Sequence, residues 1–297
     1  MFKQKLFFRV VSIFALLCGA GLVDYLLYEA SGDAGHTHVP ISSAVDFAQA
    51  SFSVPEALAN IKLDMENDPE LMTQCHDQVH VVGHMAYEYL QEDAYQYADP
   101  MCGGGYLHGV LEKAFAINGL SYLETVVHTN CDGEVTESCL HGVGHGIQQL
   151  TNDVSQSIQI CEQIGTEDLD CYEGVFMEQF EGTPLAVGAT VTESILNLCA
   201  KSPLGAQKSC YFYLPRILGQ APAMSIVELC EEKLTSEDSL VCAEGSGVFF
   251  MKQTSGFRAQ VAKDYCDSYQ AEALVNSCLR GVVAYESYGG LENNRWH

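Results

Sequence analysis

Basic residues are scarce in this chain: 14 lysines and arginines stand against 39 aspartates and glutamates, a formal net charge of −25 over 297 residues. Such an excess of carboxylates repels phosphate backbones and anionic lipid headgroups, which excludes nucleic acid as a partner. Cations, metal ions or a basic protein partner fit that charge, and most of it serves as a solvated surface. Runs of alternating apolar and polar residues are missing too, so no sheet is expected. The sequence has no G-x-S-x-G elbow, Walker loop, H-E-x-x-H helix or dinucleotide-binding glycine pattern. Without C-x-x-C-H, covalent c-type haem is excluded, although bis-histidine haem b is not. What remains is a globular composition, long enough to bury a sizeable core as one long domain or two short ones.

One long apolar run is present, from Leu6 to about Tyr28, behind a basic leader holding Lys3, Lys5 and Arg9. It is long enough to cross a bilayer as a helix, with Arg9 and Asp24 near its ends. The leading positive charges hold that end in the cytoplasm, so the chain after Tyr28 is exported. No clean A-x-A site follows, and Leu17 before Cys18 makes a poor lipoprotein box. An uncleaved anchor over 1–28 is therefore expected, with a cleaved signal peptide as the alternative. The expected location is the cell membrane, single-pass, with the C-terminal part extracytoplasmic. Residues 29–55 read as a polar, Gly/Ser-containing linker and 56–297 as the folded ectodomain. Lys3, Lys5, Arg9 and Asp24 are the only charges in 1–28, so the remainder carries −27.

Of 13 cysteines, Cys18 lies in the apolar segment and 12 follow it. In an oxidising compartment, an even number of closely spaced cysteines points to disulfides before metal ligands. Regular spacing favours five short pairs, Cys131 with Cys139, Cys161 with Cys171, Cys199 with Cys210, Cys230 with Cys242, and Cys266 with Cys278, leaving Cys75 and Cys102 as a sixth. Spacing alone does not fix that connectivity. The cysteines at 102, 139, 171, 210, 242 and 278 recur at separations of 37, 32, 39, 32 and 36 residues, the period of a helical-hairpin repeat. The segments after them, such as CYEGVFMEQF and CAEGSGVFFM, are apolar at helical spacing, and a second helix such as VTESILNLC ends each unit on cysteine. The expected fold is all-α: a right-handed solenoid of six or seven disulfide-linked hairpins behind one N-terminal transmembrane helix. Gly142, Gly174, Gly245 and Gly281 follow the cysteines by three residues; a glycine inside a helix costs propensity, which implies close packing of another helix there.

The repeat also carries histidines, in HVVGH (His80 to His84), YLHGVLE (Tyr106 to Glu112) and HGVGH (His141 to His145). Superposed on the residue before the glycine, the units form a column of His80, His108, His141, Glu173, Phe212, Glu244 and Arg280. Four residues on, a second column reads His84, Glu112, His145, Met177, Arg216, Val248 and Ala284. Residues i and i+4 share a helical face, and equivalent positions of stacked units line one surface. His80, His84, His108, Glu112, His141 and His145 should therefore converge, with Glu173 and Glu178 next along. Five imidazoles with carboxylates suit zinc, copper, iron or manganese rather than calcium or magnesium. Tyr106 and Glu178 are candidates to orient ligands, or Glu178 to act as a general base. A single histidine would be read as structural, and His76 as a capping residue; no role falls to His128, and solvation suffices for His36, His38 and His297.

The C-x7-C-x-x-G of Cys131, Cys139 and Gly142 resembles Sel1-like repeats of secreted cysteine-rich helical proteins, where a disulfide likewise joins the end of one unit to the start of the next. The glycine-rich loop and following D-x-x-x-A of those repeats are missing here. Over roughly residues 75–180, the CH…H-x-x-G-H, GYLHGVLE, CLHGVGHG and CYEGVFME blocks are similar to those of a group of exported bacterial and archaeal proteins, a likeness that implies no function. Two expectations follow. The first is an extracytoplasmic metal-binding protein, potentially a metalloenzyme, centred on the histidines. The second is an acidic scaffold, anchored to the membrane, whose solenoid surface holds a partner protein or membrane complex; the histidine-free units from Cys210 to Cys278 suit that role.

Overall fold

A computed structural model describes residues 53–68, 71, 74–131, 136–164, 169–181, 184–185, 191–219, 222–254 and 259–288. The expected anchor and nearly all of the linker lie outside these residues. No helix among the described residues is long and apolar enough to cross a membrane.

The described residues form α-helices and short 3₁₀ turns, with no strand among them. In order, α1 spans Val54–Asn67, α2 Cys75–Leu90, α3 Gly105–Asn118, α4 Leu123–Asn130, α5 Thr136–Thr151, α6 Val154–Gln163 and α7 Leu169–Glu181. Then come α8 (Glu193–Lys201), α9 (Leu204–Tyr213), α10 (Ala223–Glu232), α11 (Ser236–Gln253), α12 (Ala259–Cys266) and α13 (Glu272–Tyr288). Local chemistry sets many of the boundaries. The Asp153 carboxylate accepts from the Gln156 N–H at 3.1 Å and caps α6. Pro203 and Pro222 stand directly before α9 and α10, and Pro215 turns the end of α9 into a 3₁₀ segment, Leu214–Leu218. The CGGG run reads as the start of a helix, and it is one: Cys102, Gly103 and Gly104 all take positive φ, a conformation two glycines supply cheaply, before α3 begins.

Seven helices, α2, α3, α5, α7, α9, α11 and α13, pack in a row in which each touches the next. Of the short helices, α6 and α12 each touch the row helix before and after them in sequence, α10 touches α11 and the 3₁₀ segment that follows α9, and α8 touches α9. Sulfurs of six cysteine pairs stand at bonding distance: Cys75–Cys102, Cys131–Cys139, Cys161–Cys171, Cys199–Cys210, Cys230–Cys242 and Cys266–Cys278, the pairing the spacing favours. Five of them tie the end of a short helix to the first turns of the next row helix. The sixth differs, joining the start of α2 to the turn before α3.

Glycine sets the spacing within the row. A Cβ on Gly109 would overlap the His80 carbonyl oxygen; on Gly174, that of His141; on Gly245, that of Phe212; on Gly281, that of Glu244. On Gly142 it would meet the Cα of His108 at 3.2 Å. Each of these glycines follows a first-column residue and rests on the column residue of the preceding unit. The repeat thus keeps one register at five of the six interfaces of the row, Tyr213 standing in the glycine's place between α7 and α9, and there the column inferred from the sequence is a physical line of neighbours. Three interfaces add a reciprocal glycine: Gly83 against Tyr106, Gly144 against Cys171 and Gly247 against Cys278. The glycine of H-x-x-G-H is therefore a packing residue.

α3 lies between α2 and α5 and is buried on both sides. Val110 and Ala114 belong to the core shared with α1 and α2, while Leu107, Leu111 and Phe115 belong to the larger core that runs on to Tyr285. Two polar side chains on the middle of α3 are buried there.

Candidate metal centre

His108 and Glu112 are those polar side chains, 3 % and 4 % exposed. Glycine contacts hold α2 and α5 on either side, and each contributes a histidine pair one turn apart. Glu112 is gripped from α2: His80 Nε2 stands 3.1 Å from Oε1 and His84 Nε2 3.0 Å from Oε2. From α5, His145 Nδ1 lies 3.7 Å from Glu112 Oε1 and 3.1 Å from Glu178 Oε2 of α7. The other nitrogen of His145, Nε2, faces His141 Nε2 at 3.2 Å. The His108 ring stacks on those of His141 and His145, with centroids 4.9 and 5.5 Å away. Met177 Sδ is 3.4 Å from His141 Nε2.

Three overlapping sets of potential ligands result: His108, His141 and His145; His80, His84 and Glu112; Glu112, His145 and Glu178. Within each set the ligand atoms all lie within 4.8 Å of one another. The first set contains a buried imidazole nitrogen, His108 Nδ1, with no hydrogen-bond partner. Buried polar atoms are nearly always satisfied, and this orphan stands among three histidines whose ligand atoms could hold a metal ion.

Electrostatics prepares the two sides differently. Burial, reinforced by the neighbouring imidazoles, holds His108 and His141 well below the usual histidine range, so both are neutral with a lone pair to donate. Burial also pulls on His80, but the Glu112 carboxylate outweighs it and raises the net value. Burial would raise Glu112; the paired imidazoles of His80 and His84 reverse that and hold its carboxyl well below the usual range. A metal ion entering there would displace protons from histidine, not from carboxylate.

Six of the seven residues singled out in the sequence, His80, His84, His108, Glu112, His141 and His145, come together. Glu173 is elsewhere: it accepts from the Tyr213 hydroxyl at 3.3 Å, and Tyr213 packs its ring 6.3 Å from that of His141. Burial, then the Asp170 charge, pushes the Glu173 carboxyl up to about 8. The carboxylate of α7 that meets a histidine is Glu178. Tyr106 orients nothing at this site, since its hydroxyl donates to the Ala94 carbonyl at 2.9 Å. His76 bonds the Cys102 carbonyl through Nδ1 at 2.8 Å, a structural role at the disulfide-tied turn. Burial first, then the charges of Lys252 and His80, lower His76 to about 3.

No motif or spacing in the sequence marks Tyr213 or Met177 as a neighbour of the histidines. Tyr213 occupies the place of the column glycine in the divergent unit, and Met177 is the second-column residue of its own unit. Arg216, the next in that column, is buried, pairs with Glu181 and lies 4.5 Å over the Tyr213 ring. Lys252 shares Glu181 at 3.2 Å, so a basic and acidic cluster borders the histidines on the α7 side.

No family model matches the chain, and neither a curated protein nor a solved structure shows significant similarity to it.

Proposed function

We propose that this protein is an extracytoplasmic metal-binding helical-repeat protein, tethered by its N-terminal apolar segment, that holds a transition metal among His108, His141 and His145. One observation carries the reading: three buried imidazoles whose ligand atoms lie within 4.8 Å of one another include a nitrogen, His108 Nδ1, that no protein group satisfies. The His141–His145 separation of 3.2 Å supports it, because two nitrogens bound tetrahedrally at about 2.0–2.1 Å lie about 3.3–3.4 Å apart. Glu178 accepting from His145 Nδ1 fixes the tautomer that leaves Nε2 free to ligate, the usual second partner of a metal-bound histidine. Zinc, copper, iron and manganese all suit imidazole with carboxylate, and the adjacent Met177 thioether inclines the set towards copper. The six disulfides fit an oxidising compartment, and the repeated register fits a solenoid. A metal-bound water would be the reactive species in an enzyme of this kind.

Elemental analysis of the purified full chain tests the reading. Stoichiometric metal is expected, and it is lost in His108→Phe. That substitution also raises the melting temperature of the metal-free protein, since it removes an unmet polar atom worth ~1–3 kcal/mol. A folded wild-type chain that takes up none of the four metals, and melts at the same temperature with and without them, refutes the proposal and leaves the acidic interaction scaffold as the better reading.

A further inference from the structure

The reading above needs only three histidines, yet an independent set of ligands stands beside them. His80, His84 and Glu112 bring their ligand atoms within 4.8 Å of one another, share no residue with the His108, His141 and His145 set, and do not merge with it into one group. A single ion cannot serve all six. Ligands bound at about 2.0–2.2 Å to one ion lie no more than about 4.4 Å from each other, whereas the ligand atoms of the two sets do not all come within even 4.8 Å of one another.

Resting on the metal-binding reading, we infer that the site holds two metal ions in unlike subsites: an inner one at His108, His141 and His145, and an outer one at His80, His84 and Glu112. In the outer subsite Glu112 places one carboxylate oxygen 3.1 Å from His80 Nε2 and the other 3.0 Å from His84 Nε2, spacings that suit ligands of one ion. The two subsites touch where Glu112 Oε1 lies 3.7 Å from His145 Nδ1, so a charge at one is felt at the other.

They differ in access and in chemistry. His108 and His145 are buried, and Met177 closes one side at 3.4 Å from His141. The outer ligands open outward: His80 is 19 % and His84 39 % exposed. A three-ligand set with a solvent-facing position is the pattern of a catalytic rather than a structural ion. The outer ion therefore carries an exchangeable water and takes small anionic or carbonyl ligands there, while the inner ion is shielded. Two imidazoles with a carboxylate suit zinc, iron or manganese in the outer subsite, and three imidazoles beside a thioether suit copper or zinc in the inner one.

The test is a zinc count on the full chain, dialysed to remove loosely held metal, for the wild type and for His80→Gln/His84→Gln. Both replaced side chains are partly exposed, and the far-ultraviolet circular dichroism checks that the variant is folded. About two zinc ions per wild-type chain falling to about one in the variant is the expected result. One in both or two in both overturns the outer subsite while the metal-binding reading stands, and one falling to none overturns the pair of ions and the inner site with it. None in either overturns both. A second measurement covers the open position: azide added to the cobalt(II)-loaded wild type shifts the visible spectrum, and the same addition to the variant does not. No shift in the wild type overturns the open outer ion.

Discussion

Glu173 is a buried carboxyl held by one neutral partner, the Tyr213 hydroxyl. With its folded-state value raised to about 8 from 4.5, the native protein binds that proton more tightly than the unfolded chain does. Its contribution to stability is complete below the unfolded value and disappears as pH rises through the folded one, by at most ~1.4 kcal/mol per pH unit in between. Glutamine stays neutral at every pH. Glu173→Gln should therefore melt close to wild type at pH 5 and several degrees above it at pH 8.5, read by thermal denaturation. An equal pH dependence in both proteins would show Glu173 ionising as freely as a solvated carboxyl. This residue also marks the limit of what spacing reveals. The columns picked out six side chains that converge because helical faces repeat, but they also included Glu173, whereas Glu178, expected beside them as an orienting residue or a base, is the α7 carboxylate that meets His145. Which residue of α7 crosses His145 depends on the angle at which Gly174 seats on α5, and no i, i+4 count contains that angle.

At the scale of the element, a glycine on a carbonyl is what brings neighbouring helices of the row together. Gly174→Ala places a Cβ against the His141 backbone, and the resulting overpacking should destabilise by ~1–3 kcal/mol. The same shift carries Met177 and Glu178 away from His141 and His145, so metal affinity should fall along with stability. Gly205 in α9 is the control. A Cβ there meets only the Tyr172 ring, at 3.7 Å, and the better helix propensity of alanine makes Gly205→Ala neutral or stabilising by up to ~1 kcal/mol. Denaturant titration of the two variants checks the contrast; equal effects would mean that the close glycine contacts do not govern the packing. The helices and their cysteine junctions were legible because apolar spacing and cysteine period agree. The reciprocal glycines were half legible: Gly142, Gly174, Gly245 and Gly281 stood out by position, but Gly83, Gly144 and Gly247 looked like parts of the motifs around them.

Across the whole molecule, the disulfides stabilise through the unfolded chain. Five of them close loops with sequence separations of 8, 10, 11, 12 and 12 residues. Each contributes ~2.5–3 kcal/mol in the chain-entropy model, and together they match or exceed the ~5–15 kcal/mol that holds an ordinary domain folded. Reduction followed by alkylation should abolish the helical circular dichroism at 37 °C, and added zinc should not restore it. A reduced chain that keeps its helices would mean that packing alone suffices. Another property of this scale was invisible in the sequence. Lys252 of α11 and Glu181 of α7 act electrostatically on His76 of α2, and Asp77 of α2 acts on Tyr285 of α13. The two ends of the row thus lie within electrostatic reach of one another. No local pattern announces such proximity, because it joins residues far apart in the chain.

The uniform register has one more effect. Glu244 and Arg280 occupy the same column as His80, His108 and His141, and there they form an ion pair, Nη2 to Oε2 at 3.2 Å. The backbone beneath them is the same glycine-on-carbonyl contact that supports the histidines. Side chains in the column are thus interchangeable tenants of a fixed frame: a ligand can become a salt bridge, or the reverse, by single substitutions that leave every helix where it was. On such a frame a histidine cluster could be gained, lost or moved along the row without refolding.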